Sequence, residues 1–337
     1  MPKSPAKHRS EGGFKTPTLP KTKNMQQMIS HDPGLSKFKP LPWILCHDDF
    51  DRGTNGWVDL TPNFRFENFE PRKGPVDLAQ WGPTMLSTAS FRYVGTHGSM
   101  DGIYSLKLAT RPVAAPASER PATGSQGVAI KRMTLPPDLW DGLLQYELWF
   151  AYKPEQDRVG FSEKDVRAFG FFFDIQDERA RYHVTMRYLN SVDGKPARRW
   201  QLSRASNLSE ADWEYGTPGW TVPGIDNIWF GQRYSDGSTD GFQDVPGGEQ
   251  QLCYNESDDK INWLYARMLV DLGKQEYVEL QCGNQTFDLR GTQPTLAKPY
   301  ANIHGLLNPA LWIEADTDRR VFLFVDSVVI SAAPRPS

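Results

Sequence analysis

Apolar residues in this chain recur in short alternating runs and hardly at all at helical spacing. The segments SLKLATRP (105–112), QGVAIKRMTL (126–135), LLQYELWFAYKP (143–154), RAFGFFFDIQDE (167–178), RYHVTMRYLN (181–190) and RRWQLSR (198–204) are short and bounded by turn residues. They are rich in Phe, Tyr, Val and Leu, which predicts strands. After a long polar stretch the pattern returns in INWLYARMLVDL (261–272), EYVELQCG (276–283), QTFDLRG (285–291), LWIEADT (311–317) and RRVFLFVDSVVIS (319–331). An acidic turn between RAFGFFFDIQDE and RYHVTMRYLN predicts a hairpin. In the last run Phe322, Phe324 and Val328 should face one way, and Val321, Leu323, Val325 and Val329 the other. Both faces are apolar, as in a central strand covered on two sides. Only PPDLWDGLL and SEKDVRAF offer a helical turn. Many short strands without strand–helix alternation predict one all-β, antiparallel two-sheet sandwich with long loops over residues 42–332.

The flanks differ. Residues 1–41 hold much Lys, Pro, Ser and Gly and few apolar side chains, so they read as a disordered basic tail. Residues 333–337 read as a short C-terminal tail. Residues 205–260 read as a loop with scattered Trp; a loop of that length in a compact domain is often functional.

Composition narrows the partners. A net charge of −3 argues against nucleic acid, whose phosphates call for a basic excess. No apolar run reaches the ~18 residues of a membrane helix, so no membrane partner is expected. The first residues, MPKSPAKHRSEGGFKTPTLPKTKN, lack the apolar core of a secretory signal, and the expected address is cytoplasmic. Cys46, Cys253 and Cys282 are odd in number and widely spaced, which fits ordinary thiols rather than zinc or a disulfide framework. There is no P-loop, no dinucleotide glycine fingerprint, no HExxH and no GxSxG. With 11 Trp, 12 Tyr and 18 Phe the chain can build a core and also stack sugar rings.

Three segments carry a resemblance: DDFDRGTNGW (48–57), WLYARMLVDLGKQEYVELQCGNQTFDL (263–289) and the closing RRVFLFVDSVVIS. Their order resembles the concanavalin A-like lectin/glucanase superfamily, and the whole layout resembles a stand-alone family within it. The resemblance implies a jelly-roll sandwich whose last strand pairs beside its first. It also implies a carbohydrate-related role and brings no particular reaction. The Glu-x-Asp-x-x-Glu strand of retaining glucanases is missing; FFFDIQDE supplies Asp174, Asp177 and Glu178 at another spacing.

Alternation nominates the chemistry. Glu147 and Trp149 share one face of their strand, Phe172 and Asp174 one face of the next, and Arg181, His183, Thr185 and Arg187 one face of the third. If the three strands are neighbours, Glu147, Asp174 and His183 form an acid–base set, with Trp149 and Arg187 beside it to hold substrate. The plainer alternative is an exposed face laced with cross-strand ion pairs. In the long stretch, Trp213, Trp220, Trp229, Tyr234 and Phe242 can offer sugar platforms with Arg233 nearby, or can pin the loop to the sandwich. Asp236 to Gly241 resembles the start of a calcium loop, without the acid expected at its twelfth position, where Gly247 stands. Asp49 and Asp51, with Asp48, could meet Asp326 around a structural Ca²⁺ if the first and last strands pair; acidic turns account for them equally. His97 and Asp101, among Gly95, Gly98 and Gly102, form a site wall or a hairpin turn.

These features predict a glycoside hydrolase or lyase acting on a small glycoside or oligosaccharide, with no cofactor required beyond that Ca²⁺. The alternatives are a non-catalytic carbohydrate-binding protein and a structural or assembly subunit, and a homo-oligomer is compatible with all three.

Overall fold

The computed structural model describes residues 34–59, 85–87, 98–110, 125–154, 163–192, 194–203, 242–253, 262–297, 299–315 and 319–335. In chain order its strands are β1 (Trp43–Asp48), β2 (Trp57–Asp59), β3 (Met85–Ser87), β4 (Ser105–Ala109), β5 (Ser125–Lys131) and β6 (Met133–Thr134). β7 (Leu143–Pro154), β8 (Val166–Gln176), β9 (Arg181–Val192), β10 (Lys195–Ser203) and β11 (Phe242–Glu249) follow. The series closes with β12 (Leu264–Asp271), β13 (Glu276–Cys282), β14 (Gln285–Thr292), β15 (Thr295–Ala297), β16 (Leu306–Ala315) and β17 (Val321–Ala333). The two helical turns foreseen are single 3₁₀ turns at Pro137–Leu139 and Glu163–Asp165.

Every strand pairing is antiparallel, and the strands form two sheets. Sheet A has the order β14-β13-β12-β7-β17-β4-β3, with β1 also on β17; sheet B has the order β11-β10-β9-β8-β16-β5-β2, with β15 on β9 and β6 on β16. This is the expected antiparallel two-sheet sandwich, with its first and last strands paired. The inward faces of β7 and β8 meet ring to ring: Tyr146 lies 5.5 Å from Phe171 and 5.0 Å from Phe173, and Phe150 lies 5.1 Å from Phe169. Tyr182, Val184, Met186 and Tyr188 of β9 join that core. No α-helix occurs among the described residues, and none there is long and apolar enough to cross a membrane.

Three expectations are corrected. First, β7 is not a neighbour of β8: it sits in sheet A between β12 and β17, whereas β8 and β9 form the hairpin in sheet B. Second, the alternation of β17 slips at a bulge between Val325 and Ser327. A bulge adds one residue and exchanges the faces beyond it. Val321, Leu323 and Val325 share one face as expected, and it is the core face, but after the bulge Val328 and Ile330 take that face and Val329 faces outward. Third, Phe242–Glu249, read as part of a loop, is the edge strand β11 paired with β10. Residues 38–41, assigned to the tail, dock on sheet A, and residues 34–37 form a turn before them; residues 1–33 lie outside the described residues.

Candidate functional site

The faces of the two sheets that point away from the core carry the polar chemistry. On sheet B the register lines residues up in rows across the strands. One row runs Asn308 (β16), Asp174 (β8), His183 (β9) and Thr295 (β15). The next outward-facing row holds Ala310, Phe172 and Thr185, and the one after it Trp312, Gly170, Arg187, Gln201 and Asp244. Rows sit ~7 Å apart along the strands and neighbours within a row ~4.8 Å apart.

Arg181 forms a two-pronged pair with Asp174, Nε to Oδ1 at 2.8 Å and Nη2 to Oδ2 at 3.0 Å. The guanidinium stacks on the Tyr300 ring at 3.9 Å and donates to its hydroxyl. His183 Nε2 comes within 3.3 Å of Asp174 Oδ1. Asp174 is buried, which alone would raise its pKa, but the Arg181 charge and hydrogen bonding from His183 and Arg181 outweigh that and hold it well below the usual carboxylate range. Burial pushes the His183 pKa down, and Asp174 offsets this only in part. The pair is therefore a carboxylate beside a neutral imidazole. Around the Asp174 row, both ring nitrogens of His183, Thr185 Oγ1 and Asn308 Oδ1 are buried without a hydrogen-bond partner.

Arg187 donates Nε and Nη2 to Gln201 Oε1, and its guanidinium lies 3.7 Å over the Phe242 ring. Gln201 passes the contact to Asp244 at 2.7 Å. Gly170 leaves room for the Trp312 indole, since a Cβ there would stand 2.2 Å from the ring and 2.2 Å from the Met186 carbonyl oxygen. Trp312, Phe172, Phe242, Ala310, Val128 and Ile130 form an apolar cluster separate from the main core.

Sheet B thus sets Asp174 beside His183 and carries Arg187 on the same face, four residues further along β9. Glu147 and Trp149 lie on the opposite outer face, on sheet A. There Glu147 Oε1 accepts from the Tyr265 hydroxyl at 2.6 Å and from the Lys39 amide at 2.7 Å, and the Trp149 and Tyr265 rings are 5.4 Å apart. Trp229, Arg233 and His97 lie outside the described residues, as do Trp213, Trp220, Tyr234 and the Asp236–Gly241 segment. Gln201, Asn308 and Tyr300 were missed, and Arg181 was placed on the face without a role. Arg181 and Gln201 share an alternating face with His183 and with Ser203, whereas Asn308 and Tyr300 reach the site only through long-range pairing.

The acidic residues near the first and last strands have other occupations. Asp326 Oδ2 accepts the amides of Met100 and Asp101, both at 2.8 Å, and Asp51 Oδ1 those of Ile103 and Tyr104 at 2.7 and 2.9 Å. Asp49 Oδ1 accepts the Asp51 amide. Gly102, at φ 86°, closes this turn, and a Cβ there would stand 2.1 Å from Asp51 Oδ2. These carboxylates hold a loop through amide donors, and Asp101 itself is exposed. No three acidic, His or Cys side chains converge as metal ligands among the described residues, so the residues present do not fit the Ca²⁺ shell at Asp49, Asp51 and Asp326. The cysteines are free thiols, Cys46 and Cys282 buried and Cys253 exposed.

The fold defines an antiparallel two-sheet β-sandwich. Within that class, the chain belongs to the family described as a domain of unknown function (DUF6772), whose model matches residues 25–333. No curated protein matches it. Similar solved structures include the CBM2 module of an evolved Dit protein of Lactobacillus casei BL23 phage J-1, at 11% identity and TM-score 0.34, covering 86% of this chain and 94% of that one. Lectin I-B4 from Griffonia simplicifolia is similar at 10% identity and TM-score 0.32, covering 82% and 99%. A polysaccharide lyase of family 18, aly-SJ02, is similar at 5% identity and TM-score 0.30, covering 68% and 88%. At such scores none of these bears on the chemistry of this chain.

Proposed function

We propose that this protein is carbohydrate-directed, with its ligand face on the outer side of sheet B around Asp174 and His183. The observation that carries this reading is the Asn308–Asp174–His183 row, with the His183 ring nitrogens, Thr185 Oγ1 and Asn308 Oδ1 on it or beside it buried and without hydrogen-bond partners. An unpaired buried donor or acceptor costs about 1–3 kcal/mol, and a ligand rich in hydroxyls supplies both donors and acceptors. Asp174 lies 3.3 Å from the imidazole on its Nε2 side, and Nδ1 on the other side can accept a proton. A neutral imidazole so placed can act as a general base.

Hydrolysis by two carboxylates is less well supported, because that chemistry sets its acids about 5–9.5 Å apart. Asp244 is four residues and Glu314 six residues along the strands from Asp174 in register, or roughly 13 and 20 Å at ~3.3 Å per residue. Proton abstraction by His183, as in a lyase, is the catalytic version the geometry favours. Non-catalytic binding is the second reading, favoured by the satisfaction of Arg181 and Arg187 within the protein.

A glycan array and a turnover screen on the folded full-length chain test this. Wild type should bind a glycan, and His183→Ala should lower turnover about 10²-fold or more while binding persists. Binding without turnover in wild type selects the second reading. No glycan bound by folded protein, or loss of turnover with Glu147→Gln and not with His183→Ala, rejects the site.

A further inference from the structure

We propose that the outer face of sheet A is a recognition groove for the main chain of an extended x-Pro-x-Pro segment, filled in this molecule by its own residues 38–42. The sequence there is Phe38-Lys39-Pro40-Leu41-Pro42. Proline fixes its own φ near −65° and pushes the residue before it to extended backbone. Pro40 and Pro42 therefore preorganise the segment, much as in other proline-rich ligands. They also lack amide protons, so only alternate residues can donate. Those alternate amides are the ones the sheet reads. Lys39 N–H donates to Glu147 Oε1 at 2.7 Å, and Leu41 N–H to Ser331 Oγ at 2.9 Å. The Lys39 carbonyl accepts from Gln145 Nε2 at 2.9 Å.

The three reading side chains are neighbours by register. Gln145 is paired with Ser331, and Glu147 lies two residues along the same strand, across from Val329. All three are essentially fully buried. Phe38 supplies an apolar anchor, buried and edge-on to the His47 ring at 6.3 Å. The Lys39 side chain is exposed, so the groove reads backbone and proline spacing rather than that side chain. The Tyr265 hydroxyl donates to the same Glu147 oxygen. A second observation marks the groove as more than a covered surface: Glu147 Oε2 and Arg267 Nε, on directly opposed residues of β7 and β12, are both buried without partners. A carboxylate oxygen with spare capacity beside a spare guanidinium donor suits another main-chain amide and carbonyl. This site stands on the opposite face from the one proposed for carbohydrate, and neither needs the other.

Two measurements on the full-length chain test it. In hydrogen exchange, the Lys39 and Leu41 amides of wild type should be protected at least about tenfold relative to a free peptide of residues 34–43. Ser331→Ala should release the Leu41 amide and leave Lys39 protected. Equal exchange in protein and peptide overturns the groove. In the second, a fluorescent peptide of residues 36–42 is added to wild type and to a full-length Phe38→Ala/Lys39→Pro variant, which empties the groove without touching its walls. The peptide should bind the variant and not wild type, and should weaken when its two prolines are replaced by alanine. Binding to neither protein, or equally to both, overturns the proposal, and indifference to the prolines overturns the x-Pro-x-Pro preference. If the double variant does not fold, judged by near-ultraviolet circular dichroism, the exchange experiment alone decides.

Discussion

Asp174 is the residue on which sheet B's outer face turns. Its carboxylate neutralises Arg181 in a place where neither side chain is more than about one-twentieth exposed. Breaking a buried pair by removing one partner leaves an uncompensated charge, so Asp174→Ala should cost about 3–5 kcal/mol in urea unfolding. The pH dependence has two windows. His183 has a folded pKa lowered by burial, so the unfolded chain binds the proton first; stability is full above the unfolded value of ~6.5 and declines as pH falls below it. Asp174 also has a lowered folded pKa, so its contribution is full above an unfolded value of ~3.9 and is lost on further acidification. Urea midpoints measured from pH 8 to 3 should fall in both windows, and His183→Gln should flatten the upper one. An unchanged upper window in that variant would assign it to another group. Alternation alone put Asp174, His183 and Arg187 on outward faces. It could not show that Arg181 neutralises Asp174, because the arginine had only its place on the outward face of β9 to mark it.

Within the elements, the informative places are those where a strand departs from regularity. β9 changes partner along its length: β10 leaves it at Leu202 opposite Met186, and β15 joins it at Thr295 opposite His183. The edge of Thr185 falls in the gap. Its amide donates to the Tyr277 hydroxyl at 2.7 Å, that hydroxyl reaches back to the Thr185 carbonyl, and Ser203 bonds it at 2.8 Å. A tyrosine from sheet A thus completes the ladder of sheet B through the core. Tyr277→Phe should leave a buried amide unpaired and cost about 1–3 kcal/mol, with faster exchange of the Thr185 amide as the local signature. Gly170 is the other irregularity. Gly170→Ala should cost about 1–3 kcal/mol by overpacking and shift the fluorescence of the Trp312 indole; retained stability with an unmoved spectrum would mean that the strand gives way instead. Period-two alternation predicted the faces of β7, β8 and β9 well, because those runs are regular. It failed beyond the bulge in β17, since one inserted residue exchanges inside and outside, and no residue type in Val325-Asp326-Ser327-Val328 announces it.

At the scale of the molecule, the decisive fact is which sheet each strand joins, and local sequence is silent on it. β7 and β8 follow one another along the chain, and consecutive strands usually neighbour each other. Here they cross from one sheet to the other, and their inward aromatic rings make the core between them. Glu147 and Asp174 point away from that core in opposite directions, and packed sheets are ~10 Å apart before side chains are added. Two carboxylates so placed share no partner and no ligand. Mutations at sites more than about 7–10 Å apart without shared partners add within ~0.5 kcal/mol. A double-mutant cycle of Glu147→Gln and Asp174→Asn, followed by urea unfolding, should therefore show coupling below that level. Each single variant should also leave the other face's chemistry intact: Lys39 amide protection in Asp174→Asn, and glycan binding in Glu147→Gln. Coupling well above ~1 kcal/mol would require the carboxylates to act within one site, contrary to the strand order. The polar residues of this sandwich thus divide between two outward faces, one holding a backbone strap and the other a carboxylate–imidazole pair, and the core between them keeps their energetics apart.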